Sequence, residues 1–381
     1  MEEAWRAFGD HGAAPFAAQR ALPRGFRAQL ADEAGEPYVL TDPRELPESH
    51  RTDRWRALCE ALDGWRDLPE ARQCRLASLL HSMCLYQPLL ALIPPTVFEA
   101  GQPDTHTIEL AYWRASASFM QRLPGRIADY HDADLSVFER IARNAPDAGP
   151  AAFNAAALVL VHKAKTGAPA RELQEWGGRV ENVLALTVSG TDDFTSRLLT
   201  SRLYRALGFV PQRRGDRDGV TRVMDLAERH ARSPKPVTPA QALLYRENLH
   251  AVLESRTKEA LWHDDRAAAL ARALEVLEVD PYDSKAWAEV GEVRFARKEW
   301  HEAAQAYAVA GMLGPPASAL GRHMAGLCLR ELGQDLLAAT FFKDAAELDP
   351  LGISPREEIH DLPDVAVLRA LKEWSRTTYP A

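Results

Sequence analysis

The chain reads as an all-α protein, and three observations predict it. From Arg54 onward, apolar residues recur at the three- and four-residue intervals of a helix face. No convincing alternating strand pattern occurs after residue 50. The last third of the chain also repeats itself at a near-fixed period.

The 381 residues are 46% hydrophobic and 26% charged, as in an ordinary folded protein, and allow two domains or one elongated array. The net charge of −8 argues against a duplex-binding surface, which needs clustered Lys and Arg. Arginines crowd Arg213, Arg214 and Arg217, but Asp216 and Asp218 interleave them, so the stretch reads as a solvated loop. The four cysteines, Cys59, Cys74, Cys84 and Cys328, have no framework spacing. Met1-Glu2-Glu3 is acidic where a secretory leader would be basic, so a cytoplasmic protein with reduced thiols is expected.

The first fifty residues are punctuated by Gly and Pro. Ala4–Phe8 and Phe26–Leu30 read as short helices, and Pro37–Thr41 as a short extended segment. Trp55, Leu58, Cys59 and Leu62 then mark one helix face. A helix follows near Ala71–Leu85, then a shorter one to about Leu92. Leu76 to Phe98 carries no formal charge, but Ser78, His81, Gln87 and Pro94-Pro95 break it up. It reads as a buried hairpin and not a membrane span. The next helix, near Thr107–Arg122, ends at Leu123-Pro124-Gly125. Asp132 or Asp134 caps the one that holds Val137, Phe138 and Ile141. Ala152–Lys165 is apolar nearly all round, which implies burial on most sides. Helices near 171–186, 193–207, 220–231, 239–254 and 264–279 complete the run.

The repeat appears when the segment from Ser284 is set above the one from Ala319. Gly291 then lies over Gly326, Ala303 over Ala338, Tyr307 over Phe342, Ala310 over Ala345, and Pro315 over Pro350. The period is 34 residues, with one inserted at Pro315-Pro316. Small residues let antiparallel helices approach, an aromatic fills the groove so opened, and proline ends the unit. A half-match precedes it, with Ala269, Ala273 and Val276 before Pro281, and a degenerate first helix near Leu243–Leu253. Val365, Leu368, Leu371 and Trp374 mark a helix to cap the array.

At these positions the sequence resembles the tetratricopeptide repeat family, over about residues 240–380. The resemblance implies a right-handed α-solenoid of antiparallel helix hairpins. It also implies that a protein or peptide lies on the concave face built by the first helix of each hairpin. Carried over residue by residue, that face presents Lys285, Ala288, Glu292, Phe295 and Ala296, then Leu320, His323, Leu327, Arg330 and Glu331. The basic and amide residues with which part of the family clamps chaperone C-termini are not matched at Ala288, Glu289 and Glu292. The expected organisation is an irregular segment over 1–50, a helical-hairpin domain of degenerate repeats over 51–237, and the repeats with their capping helix over 238–381.

Catalytic signatures are sparse. No P-loop and no Gly-rich dinucleotide turn occurs. His301-Glu302 begins like a zinc-protease helix, but Gln305 stands where the second histidine would be. Glu247-x-x-His250 and Glu357-x-x-His360 each resemble half of a di-iron motif; the second lies in a Pro-flanked stretch that reads as irregular. Cys74 and Cys84, about 15 Å apart along a helix, cannot share one ion. His81 and Cys84 are close enough in sequence to pair as base and nucleophile, and small buried side chains in an apolar hairpin are the simpler account. No metal, cofactor, nucleic acid or membrane partner is expected. Two functions stay open: an adaptor that holds a protein or peptide, and an all-helical enzyme that tailors a peptide or small metabolite recruited by the repeats.

Overall fold

The computed structural model describes residues 42–46, 48–51, 53–82, 85–95, 103–122, 133–189, 191–313, 317–348, 354–364 and 366–378. Among the described residues there are helices and turns and no strand, and no helix is long and apolar enough to cross a membrane. Ala4–Phe8, Phe26–Leu30, Pro37–Thr41, His131, Asp132, Pro315, Pro316 and Pro350 lie outside them. The chain divides into two compact units, Met1–Ser255 and Arg256–Ala381.

In the first unit, a turn at Pro43–Glu45 is closed by Asp42 in a capping box, and the buried Trp55 donates from Nε1 to Pro43 O at 2.7 Å. Trp55 belongs to α1 (Asp53–Asp63). The uncharged stretch folds as α2 (Glu70–Ser82) and α3 (Tyr86–Leu92), both packed on α4 (Thr105–Arg122). Ala77, Leu80 and Leu89 are fully buried there. Arg114 on α4 donates to Leu90 O and Ile93 O, both at 2.7 Å, which satisfies carbonyls left open at the end of α3.

Asp134 accepts from the Ser136 amide and starts α5 (Ser136–Asn144). The central helix, α6 (Pro150–Lys165), buries Ala151, Ala152, Phe153, Ala155, Ala156, Val159 and Leu160. Against it pack α7 (Ala170–Val188), α8 (Asp193–Leu207) and the short α9 (Phe209–Arg213), and α10 (Arg217–Arg232) packs in turn on α8 and α9. Asp192 and Asp216 cap α8 and α10 by accepting from the amides of Thr195 and Gly219. Ser201 on α8 donates to Ala227 O on α10 at 2.8 Å.

The helix expected near Leu243–Leu253 is the 24-residue α11 (Pro239–Trp262). Its weak apolar signal has a physical cause: Glu247, Asn248, His250 and Glu254 are all buried, so its inward face is largely polar.

The second unit stacks α12 (Arg266–Val279), α13 (Ser284–Ala296), α14 (Trp300–Met312), α15 (Ser318–Glu331) and α16 (Asp335–Leu348), each packed on the next. Then come α17 (Ser354–Asp361) and α18 (Ala366–Thr378), which pack on each other and on α16. Glu357 and His360 therefore lie on a regular helix, contrary to the irregular segment expected; Pro355 sits in its first turn, where a missing amide costs little.

The two aligned glycines meet the two aligned aromatics. A Cβ on Gly291 would lie 2.7 Å from the Tyr307 ring, and one on Gly326 would lie 2.5 Å from the Phe342 ring. Gly321 is held equally tightly between hairpins, its would-be Cβ 2.6 Å from Gly311 N and Tyr307 O.

The turns repeat as well. Asp264, Lys298 and Gly333 have φ of 59°, 60° and 72°, all left-handed, at spacings of 34 and 35 residues. Around each, two hydrogen bonds recur. Asp265, Glu299 and Gln334 donate to the carbonyls of Ala260, Arg294 and Leu329, while Asp264, Lys298 and Gly333 donate to Leu261, Phe295 and Arg330. This is the Schellman ending of a helix, made three times in one register.

Candidate functional site

The first helices of the two matched hairpins, α13 and α15, carry the expected face. On α13, Lys285, Ala288, Glu292 and Phe295 fall at spacings of three, four and three, so they share a stripe. On α15, Leu320, His323, Leu327 and Arg330 do the same. Gly291 and Val293 on α13, and Gly326 and Cys328 on α15, turn toward the neighbouring helices and are buried; Ala288, expected on the face, is buried in the core as well.

The stripe divides into free and committed side chains. Leu320 is 54% exposed, the clearest apolar group on the face, and Glu292 is exposed. Phe295 is half-buried, edge-on to Trp300 at 5.0 Å, and packs with Leu327 against the core. Lys285 faces the buried Glu289 at 3.8 Å, which Lys258 also approaches at 3.4 Å. Arg330 is ion-paired with Glu358 on α17. His323 leans on the Phe342 ring at 5.9 Å, and its Nε2 has no hydrogen-bond partner. Burial pushes the pKa of His323 down, opposed by Glu358 and reinforced by Arg330, so a neutral imidazole is favoured. The face thus offers apolar ground at Leu320, Leu327 and Phe295, a neutral imidazole, and the Arg330–Glu358 pair.

Glu358 and Lys258 were not among the residues expected here. Both come from helices outside the two aligned hairpins, and the repeat pattern holds no position for them.

The catalytic candidates fare differently. His81 is buried on α2, its Nε2 2.8 Å from Ser116 Oγ and its ring against Trp113 and Tyr86. Its Nδ1 has no partner, and burial pushes its pKa down to about 4. Cys84 lies outside the described residues. The contact made by α2 is another: Cys74 Sγ lies 3.2 Å from His106 Nδ1, across to α4. Burial, then Glu109, raises the Cys74 pKa, which keeps the thiol protonated and poorly nucleophilic.

No family model and no curated protein matches the chain. Among solved structures it is similar to the crystal structure of YrrB, a TPR protein with an unusual peptide-binding site. The identity is 13% over 59% of this chain and 98% of that one, at a TM-score of 0.36. It is also similar to the crystal structure of the APC/C hetero-tetramer Cut9–Hcn1, at 13% identity over 91% and 88% of the two chains and a TM-score of 0.24. Likenesses of this size carry no weight for what this chain binds.

Proposed function

We propose that the chain is a protein- or peptide-binding adaptor, and that its ligand lies along the stripe of α13 and α15 running from Lys285, Glu292 and Phe295 to Leu320, His323, Leu327 and Arg330. One observation carries the reading: two hairpins are packed in the same register, and on their first helices they leave Glu292 exposed and Leu320 54% exposed beside a polar rim. Apolar anchors at helical spacing with charges between them suit a short extended or helical peptide. A cytoplasmic ligand fits the absence of any framework spacing among the cysteines.

The test uses Leu320→Glu with Glu292→Lys, because these side chains are exposed and their replacement leaves the fold's packing in place. Proteins and peptides captured by wild type are remeasured one by one by calorimetry against the double variant. The expected result is a ligand that loses about tenfold or more in affinity, with no change in the thermal melt. Ligands held equally by both proteins would remove the stripe from consideration. The second reading, an enzyme acting on a recruited peptide or metabolite, draws on a cavity of about 270 Å³ in the first unit. A ligand released with a changed mass would select it.

A further inference from the structure

The cavity in the first unit is walled by α4, α6, α8, α9 and α11. Its walls are of two kinds. Phe119 from α4, Phe153, Leu158 and Val161 from α6, and Phe209 from α9 supply an apolar lining. Arg202 and Arg205 from α8, and Glu247 and Asn248 from α11, supply polar groups opposite, joined by Asn154 and Lys165 of α6.

Two features indicate a ligand. Asn248 is 2% exposed, and its Nδ2 has no hydrogen-bond partner; Nδ2 of Asn154 is buried and likewise unpartnered. Buried amide donors are nearly always satisfied, so two of them lining one cavity point to an acceptor that enters it. The second feature is charge. Three cations, Lys165, Arg202 and Arg205, and one carboxylate, Glu247, line the cavity, so a guest that enters it meets more positive than negative groups. Arg202 Nη1 already lies 3.5 Å from Asn154 Oδ1, so a guanidinium and an amide are adjacent, a pairing that suits a planar carboxylate.

We infer that this cavity binds a small amphipathic carboxylic acid. The carboxylate is held by Arg202 with the amides of Asn154 and Asn248, and the hydrocarbon or aryl body lies against Phe119, Phe153 and Leu158. At about 270 Å³ the cavity falls just below the usual range of about 300–1,000 Å³ for ligand sites, which restricts the guest to a short chain or a single ring.

Calorimetric titration of the full chain with 4-phenylbutyrate and with octanoate tests this, each beside its neutral primary amide. Expected is saturable one-to-one binding of at least one acid, with its amide weaker by about tenfold or more. Asn248→Ala weakens the acid by a similar factor. Should that variant fail to melt cooperatively, the partly exposed Arg202→Gln takes its place and weakens the acid without weakening the amide. Leu320→Glu in the second unit leaves acid binding unchanged, which separates this site from the peptide stripe. The inference is overturned if neither acid saturates, if acid and amide bind alike, or if acid binding is unaffected in the folded variants.

Discussion

His81 occupies a buried site in which its ring packs on Trp113 and Tyr86 and only Nε2 finds a partner, the Ser116 hydroxyl. A proton added to that ring would be buried without a counter-charge, which is why its pKa falls to about 4 from an ordinary 6.5. The unfolded chain therefore binds this proton more readily than the folded one between those two values. Stability falls as pH drops from 6.5 toward 4, the loss is complete below 4, and above 6.5 the group contributes nothing to the slope. The expected difference between wild type and His81→Gln across that window is on the order of 3 kcal/mol, read from urea melts at each pH. Equal slopes in the two proteins would show that His81 titrates normally when folded. The sequence singles out His81 for its place beside Cys84, yet its polar contact is Ser116, on another helix 35 residues away. Periodicity reports which face a residue occupies and is silent on which distant side chain will meet it.

At the scale of the element, the turns between helices show what recurs and what varies. Gly333 takes a left-handed φ freely, whereas Lys298 and Asp264 hold the same conformation against the clash of their own Cβ. Lys298→Gly is expected to stabilise by about 0.5–1 kcal/mol in a thermal melt, the relief of that clash exceeding the added freedom of the unfolded chain. The close approaches predict the opposite sign. Gly291→Ala drives a methyl into the Tyr307 ring and is expected to cost about 1–3 kcal/mol, whereas Gly178→Ala, on an exposed face of α7 with nothing within 4 Å, is expected to be neutral or stabilising. A tolerated Gly291→Ala would mean that the hairpin opens at no cost. The glycines and aromatics were legible because close packing restricts residue type. The left-handed turns at Lys298 and Asp264 were not, because the backbone hydrogen bonds that hold them have no residue preference strong enough to read.

Across the second unit, helices pack mainly on their neighbours in the chain, so stability is expected to pass from one hairpin to the next. Leu368 on α18 is 3% exposed, and Trp374 on the same helix holds Lys343 of α16 over its ring at 5.2 Å. Leu368→Ala is expected to cost about 2–4 kcal/mol. In hydrogen exchange, protection should fall most in α16 and α17 and fade toward α12. A uniform loss from α12 to α18 would instead indicate a single cooperative block.

The sequence by itself determined the helices, their approximate ends and the repeat of 34 residues, because each follows from local spacing: apolar residues on one face, capping acids, and small residues opposite aromatics. Only the tertiary structure decided which outward residues are free. It leaves Leu320 and Glu292 exposed while Arg330 is taken by Glu358 and Phe295 by Trp300. It alone brought Asn154, Arg202 and Asn248 to one cavity from three helices, each nearly fifty residues from the next. The reason is physical. A helix face is written in residues three and four apart, whereas a binding site is written in side chains that become neighbours only once the helices have packed.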